Sequence, residues 1–285
     1  MDFAEVEGRF GKRSARARFG ALFVNCTVAL SLASLAACRT SSNQATAPTF
    51  RVMSYNIHHG EGQDGKIDLL RIAQVIKSEG ADIVALQEVD KGTERTARRD
   101  FPAELAELTG MTSVFSNNFS YQGGEYGNAV LTRFPIASWT NTHYRMLREG
   151  EQRGLLQLVL DVHGHDLVFM NTHIDYRPED NERLSNASEI QKCSGNYQAR
   201  TIILCGDFND TPGSRTYHKL KELFDDSWEL SGRGDGSTFS ANHPHKRIDY
   251  IWLSTNRSVV PLKVWVPKTD ASDHLPIIGE FQFVR

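Results

Sequence analysis

Eight polar side chains spread along the 285-residue chain are of the types that hold a hard cation and activate water: Asn56, Glu88, His173, Asp207, Asn209, Asp249, Asp273 and His274. An anionic ester repels nucleophiles. Splitting it near neutral pH takes positive charge on the ester oxygens and a positioned, deprotonated water, and a divalent cation held by oxygen ligands supplies the first. Glu88, in Leu86-Gln87-Glu88-Val89-Asp90, closes an apolar run, where a lone carboxylate is costly unless it meets a cation. Asn56 offers a neutral oxygen, His173 and His274 can donate hydrogen bonds to an anion, and Asp207 can orient or deprotonate water. Taken singly each residue says little. An Asp or Asn that ends a strand is most often a turn or cap residue, residues 206–209 can be a plain turn, Asp249 can be a surface charge and His274 can cap a loop. Their joint appearance in one order is what carries weight.

The elements that must position these groups are short and alternate in type. Strands are predicted over 50–57, 82–89, 128–132, 155–162, 166–173, 201–207, 248–253 and 276–284, all β-branched or aromatic-rich and bounded by polar or glycine signals. Residues 67–79 set Leu69, Ile72, Ala73 and Ile76 on one helical face and Gly80 stops them; further helices are predicted over 179–192, 102–108 and 214–224. The chemically capable residues fall where strands end: Asn56, Glu88, His173 and the Asp207/Asn209 pair each follow an apolar run. Strand ends on a rigid sheet are where loops gather groups into one crevice.

Composition narrows the setting. With 40% apolar and 24% charged residues the chain is globular and long enough for a large core, and one domain is expected. The first 38 residues carry five basic and three acidic side chains, so the remainder has 27 and 32 and sits near −5. A broad basic footprint for duplex nucleic acid is missing, which weighs against a dedicated DNA-binding enzyme. Lys12, Arg13, Arg16 and Arg18, the apolar run 19–35 and Ala36-Ala37 have the layout of a secretory signal. Leu35-Ala36-Ala37-Cys38 resembles a bacterial lipobox, in which Cys38 is lipidated; an uncleaved anchor is the alternative, weakened by Asn25, Thr27, Ser31 and Ser34. Residues 1–38 thus read as a signal, 39–49 as a flexible tether and 50–285 as the catalytic domain, exported to the periplasm or outer surface and tethered to the membrane. Cys193 and Cys205 lack metal-site spacing; a buried free thiol at Cys205 is favoured over a disulfide between the two.

The ordered motifs Ser54-Tyr55-Asn56-Ile57, Gln87-Glu88-Val89-Asp90, Gly127-Asn128-Ala129-Val130-Leu131, Asn171-Thr172-His173, Gly206-Asp207-Phe208-Asn209, Arg247-Ile248-Asp249-Tyr250 and Ser272-Asp273-His274-Leu275-Pro276 resemble those of the endonuclease/exonuclease/phosphatase superfamily. The resemblance runs from about residue 50 to the C-terminus. It implies a four-layer α/β sandwich of two packed mixed sheets flanked by helices. It also implies hydrolysis of a phosphoester by in-line water attack, with one magnesium or two divalent ions, manganese being the substitute. By the same resemblance Asn56 and Glu88 match magnesium ligands and Asp273 a carboxylate near the metal. Asp207 matches the residue that deprotonates water, Asn209 its orienting amide, His274 a phosphate donor kept charged by Asp249, and His173 a second phosphate-binding histidine. Arg153 matches a phosphate-contacting arginine, and Tyr126 and Asn128 positions that line the cleft. Arg95, Arg98 and Arg99, after the Gln-Glu-Val-Asp motif, can grip phosphate bidentately or simply be solvated. His58 and His59 follow Asn56 closely but stay outside the expected site, since one or both can serve simply to hydrogen-bond the loop. A lipid, inositol or similar small phosphoester is the favoured substrate, nucleic acid the alternative, and a monomer is expected.

Overall fold

The computed structural model describes residues 47–197 and 200–284; the stretch read as a signal, with Cys38, and most of the expected tether lie outside them. Strands β1 (Thr49–Asn56), β2 (Ile83–Lys91), β3 (Thr112–Tyr121) and β4 (Gly124–Thr132) belong to one sheet. Strands β5 (Ile136–His143), β6 (Gly154–Val162), β7 (His165–His173), β8 (Thr201–Asp207), β9 (Phe224–Asp226) and β10 (Asp249–Ser254) form a second, and β11 (Val259–Trp265) and β12 (Ile277–Phe283) return to the first. The orders are β11-β12-β1-β2-β4-β3 and β5-β6-β7-β8-β10-β9. Only β1/β2 and β7/β8 run parallel; the other pairs are antiparallel.

Three apolar clusters hold four layers together. Between the sheets, Val52, Ile83 and Ala85 meet Leu156, Phe169 and Ile203. The outer face of the first sheet, with Tyr55, Leu86 and Leu131, packs on α1 (Leu69–Ser78) and α2 (Phe101–Thr109). That of the second, with Met170, Leu204 and Trp252, packs on α3 (Asn181–Ser194) and α4 (Arg215–Leu220). The central strands are buried on both faces, which is why they read as continuous apolar runs. The mixed four-layer α/β sandwich expected from the motifs is the observed fold.

The departures from the predicted elements have local causes. Helix α1 starts at Leu69 rather than 67 because the Asp68 carboxylate accepts from Leu70 N at 2.9 Å and caps it there. Four strands escape the sequence pattern. β3 is rich in Ser and Asn, β5 is a largely exposed edge, β9 has three residues, and β11 is an edge strand whose Pro261 sits at a register shift. A fifth helix, α5 (Ser227–Ser231), is short and capped by Asp226. Cys193 and Cys205 are free thiols, so no disulfide joins them. No helix among the described residues is long and apolar enough to cross a membrane.

Candidate active site

The two parallel pairs present their C-terminal ends at the same end of the sandwich, and the polar residues converge there. In the second sheet His173 and Asp249 are the register partners of Asp207 on either side. Residues directly across a ladder share a face, so the three side chains are delivered together. In the first sheet Asn56 ends β1, and Glu88 is turned toward the same point by a bulge in β2. There Leu86 pairs with Ala129 and Val89 with Gly127, so Gln87 and Glu88 face Asn128 alone. Glu88 takes the left-handed region (φ 58°), an uncommon state for a residue with a Cβ.

Polar contacts between the sheets hold the bulge. Asn171 on β7 donates to Leu86 O and Ala129 O, both at 2.8 Å, and accepts from Gln87 Nε2 at 2.7 Å. Asn128 is buried and donates to Gly154 O at 3.3 Å, bridging β4 to β6. Its amide is thus turned between the sheets and, unlike Tyr126, does not line the cavity, where a cleft-lining position had been expected.

Asp207 is the hub. Its Oδ2 lies 3.5 Å from His173 Nε2 and 3.6 Å from His274 Nε2, and it accepts from Asn56 Nδ2 at 3.0 Å. The same Asn56 amide donates to Glu88 Oε1 at 2.9 Å, so one neutral group bridges carboxylates from the two sheets. Asp249, fully buried, faces His274 Nδ1 at 2.9 Å. Asn209 (φ 47°) brings its amide to 2.9 Å from His173 Nε2. These contacts polarise the histidines in opposite directions. Burial pulls His274 down, but the Asp249 and Asp207 charges outweigh it and push its pKa up to about 10. Burial, then the charges of Arg153 and His274, holds His173 well below the ordinary histidine range. Burial and the Asp249 charge raise Asp207 to about 7.

A cavity of ≈ 350 Å³ opens over this hub. Glu88, His173, Asp207, Asn209, Asp273 and His274 line it, with Tyr126, Arg95 and Arg153 on its walls. Asn56 and Asp249 are buried just behind. Arg95 is held bidentately by the buried Asp90 (2.7 and 2.8 Å), and Arg153 Nη2 lies 2.7 Å from Glu151. Arg98 and Arg99 are not on the wall. Arg98 donates to Gly92 O and Gln122 O and Arg99 pairs with Glu104, so the two fasten their loop to the β3–β4 turn and to α2. Sequence reasoning missed Phe119, Tyr121, Tyr176 and Phe239 on the walls. The first two lie on the unread strand β3, and the others sit in loops with no periodic signal. His58 and His59, which the sequence left as loop residues, also line the cavity.

The donor set suits a divalent hard cation. Glu88 and Asp273 are carboxylates on the wall, Asn56 adds an amide, and among the described residues no ion pair neutralises Glu88. A carboxylate left in that state is stabilised by a cation.

Comparison with known proteins agrees. The sequence profile of the Endonuclease/Exonuclease/phosphatase family matches residues 53–274, which include every residue from Asn56 to His274. The Escherichia coli (strain K12) protein named uncharacterized protein YbhP is 26% identical over 251 residues, covering 81% of this chain and 96% of that protein. The 5'-tyrosyl-DNA phosphodiesterase of Caenorhabditis elegans is 25% identical over 201 residues, covering 66% of this chain and 50% of that protein. In three dimensions the mannosyl-6-phosphatase Bt3783 of Bacteroides thetaiotaomicron superposes with a TM-score of 0.70 at 20% identity, over 82% of this chain and 100% of that one. With that profile matched over residues 53–274, a span that holds all the polar residues gathered at the cavity, the chain belongs to the Endonuclease/Exonuclease/phosphatase family.

Proposed function

We propose that this chain is an exported, membrane-tethered, magnesium-dependent hydrolase that cleaves a phosphodiester of a lipid, inositol or similar small substrate by in-line attack of water. The family's phosphoester chemistry is the frame. The observation that carries the reading is Asp207 Oδ2 set within 3.6 Å of both His173 Nε2 and His274 Nε2 at the base of a small cavity. Asp207 accepts the proton of the attacking water, and Asn209 and Asn56 fix its carboxylate and surroundings. His274, kept cationic by Asp249, donates to the phosphoryl oxygens, with His173 and Arg153 beside it. Asn56, Glu88 and Asp273 would hold the magnesium, or manganese in its place, and the ion when bound supplies positive charge to the phosphoryl group.

The cavity, ≈ 350 Å³, is at the small end of ligand sites, which supports a headgroup-sized phosphoester, as does the acidic balance outside the signal. Lipidation at Cys38 is the reading of the lipobox-like Leu35-Ala36-Ala37-Cys38. A nuclease is the second reading. Phe119, Tyr121 and Tyr126 cluster on the wall with ring centroids 5.0 to 6.4 Å apart, a surface on which bases stack, and the nematode relative is named for a DNA substrate.

The test is a substrate panel with the full-length chain: bis-p-nitrophenyl phosphate, p-nitrophenyl phosphate, sphingomyelin, inositol phosphates and plasmid DNA, each with magnesium and with EDTA. Turnover of at least one diester that chelation abolishes is expected; turnover that survives EDTA sinks the metal-dependent reading. A nuclease that grips several phosphates would lose affinity steeply with salt, whereas a small-phosphoester hydrolase would not. Cys38→Ser is expected to move the chain from the membrane fraction to the soluble one.

A further inference from the structure

The two histidines after Asn56 form a donor cluster that the reaction above leaves unused. Both lie in a 3₁₀ turn in the left-handed region, with φ of 45° and 43°. That conformation is unfavourable for residues with a Cβ and persists only where its surroundings impose it. Here Gly60 N donates to Ile57 O and Glu61 N to His58 O, each at 2.8 Å, and His58 N donates to Asn56 Oδ1 at 3.0 Å. The turn brings the two rings to 4.4 Å between centroids. It also sets one ligand atom each of His58, His59 and Glu88 within 4.8 Å of one another. Imidazole donors on a common ion, at ~2.0–2.1 Å each, lie at most ~4.2 Å apart, so small side-chain rotations close this set.

Each ring has one nitrogen facing a further carboxylate, and for His58 this is Asp273 of the oxygen-ligand set. His59 Nε2 is 3.5 Å from Glu61 Oε2, and His58 Nδ1 is 3.9 Å from Asp273 Oδ1. A carboxylate behind an imidazole is the usual way a ligating histidine is oriented and its other nitrogen left free. The other nitrogen of His59, Nδ1, is buried and has no hydrogen-bond partner in a protein interior where such atoms are rare.

We propose that His58, His59 and Glu88 form a nitrogen-rich site for a borderline divalent metal such as zinc or cobalt. It deepens the metal-dependent reading above, because Glu88 serves both this site and the oxygen-ligand position. Magnesium takes oxygen ligands almost exclusively, whereas imidazole suits zinc, cobalt and nickel, so the two positions differ in the ions they select. Glu61 is a positioning residue for His59.

The experiment strips the full-length chain with EDTA and titrates it with cobalt(II), following the visible absorption band of the bound ion. Displacement by zinc is the second readout. The wild-type chain is expected to bind cobalt, with at least a tenfold weakening in His58→Gln and in His59→Gln and about tenfold in Glu61→Gln, the scale of a lost orienting carboxylate. His58 is partly exposed, so its variant tests the site even if replacing the buried His59 harms folding. Asp207→Asn and His274→Gln are expected to keep the cobalt band while losing hydrolysis, which separates this proposal from the fate of the hydrolase reading. Cobalt affinity unchanged in His58→Gln, or a band lost only in Asp207→Asn or His274→Gln, overturns the assignment in favour of the Asp207/Asp249/His274 cluster.

Discussion

At the scale of single residues the site works by opposed environments. Asp207 and His274 face each other across 3.6 Å, with Asp249 behind the imidazole at 2.9 Å. Removing either partner takes away an acid–base or electrostatic contribution that exists only when both are present. Asp207→Ala and His274→Ala are each expected to lower kcat by ~100-fold or more, the size of a lost general base or preorganised donor, with a smaller change in KM. Steady-state kinetics on the diester that the panel identifies checks this; full turnover in either variant would overturn the roles. Asp249→Asn should fall in the same direction, because His274 then loses the charge that keeps it protonated.

At the scale of elements, a bulge and a staple decide where Glu88 points. The ladder between β2 and β4 is interrupted after Leu86, and Asn171 from the other sheet binds carbonyls of both strands there. Asn171→Leu keeps the size but removes two donors and leaves Gln87 Nε2 with only its longer bond to Ser54 Oγ at 3.3 Å. Breaking a buried network of this kind costs ~2–3 kcal/mol, measured as a fall in the urea midpoint, and turnover should fall with it because Glu88 loses its support. Gly127, on the other side of the bulge, has no room for a side chain: a Cβ would meet Ser116 O at 1.9 Å. Gly127→Ala should therefore either destabilise the sheet by at least ~2 kcal/mol or force β3 and β4 apart, visible as faster amide exchange along both strands.

At the scale of the whole molecule the two sheets are fastened at the site end by the same groups that form the site, so chemistry and stability share residues. His173 is buried neutral, its affinity for protons held well below the ordinary range by burial and by the Arg153 and His274 charges. In the unfolded chain it regains a pKa near 6.5, so below that pH the unfolded state takes up a proton that the folded state refuses. Its contribution to stability is thus complete above about pH 6.5 and is lost as pH falls toward the depressed folded value. The wild-type Tm should drop relative to His173→Asn between about pH 6.5 and 5 and run parallel to it above pH 7; parallel curves throughout would show that His173 is not buried neutral. Read residue by residue, the amino-acid order determined eight of the strands and most of the polar side chains that converge on the cavity, because central strands buried on both faces are apolar runs and those side chains sit where the runs stop. It also determined the motif order that marks the family. Only the tertiary structure decided that Glu88 turns on a bulge, that Asn128 faces inward, that Arg98 and Arg99 fasten their loop to its neighbours, and that Phe119, Tyr121, His58 and His59 reach the cavity. Each of these depends on which strand lies beside which and on backbone angles set by neighbours distant in sequence, and a local pattern of residue types carries no record of either.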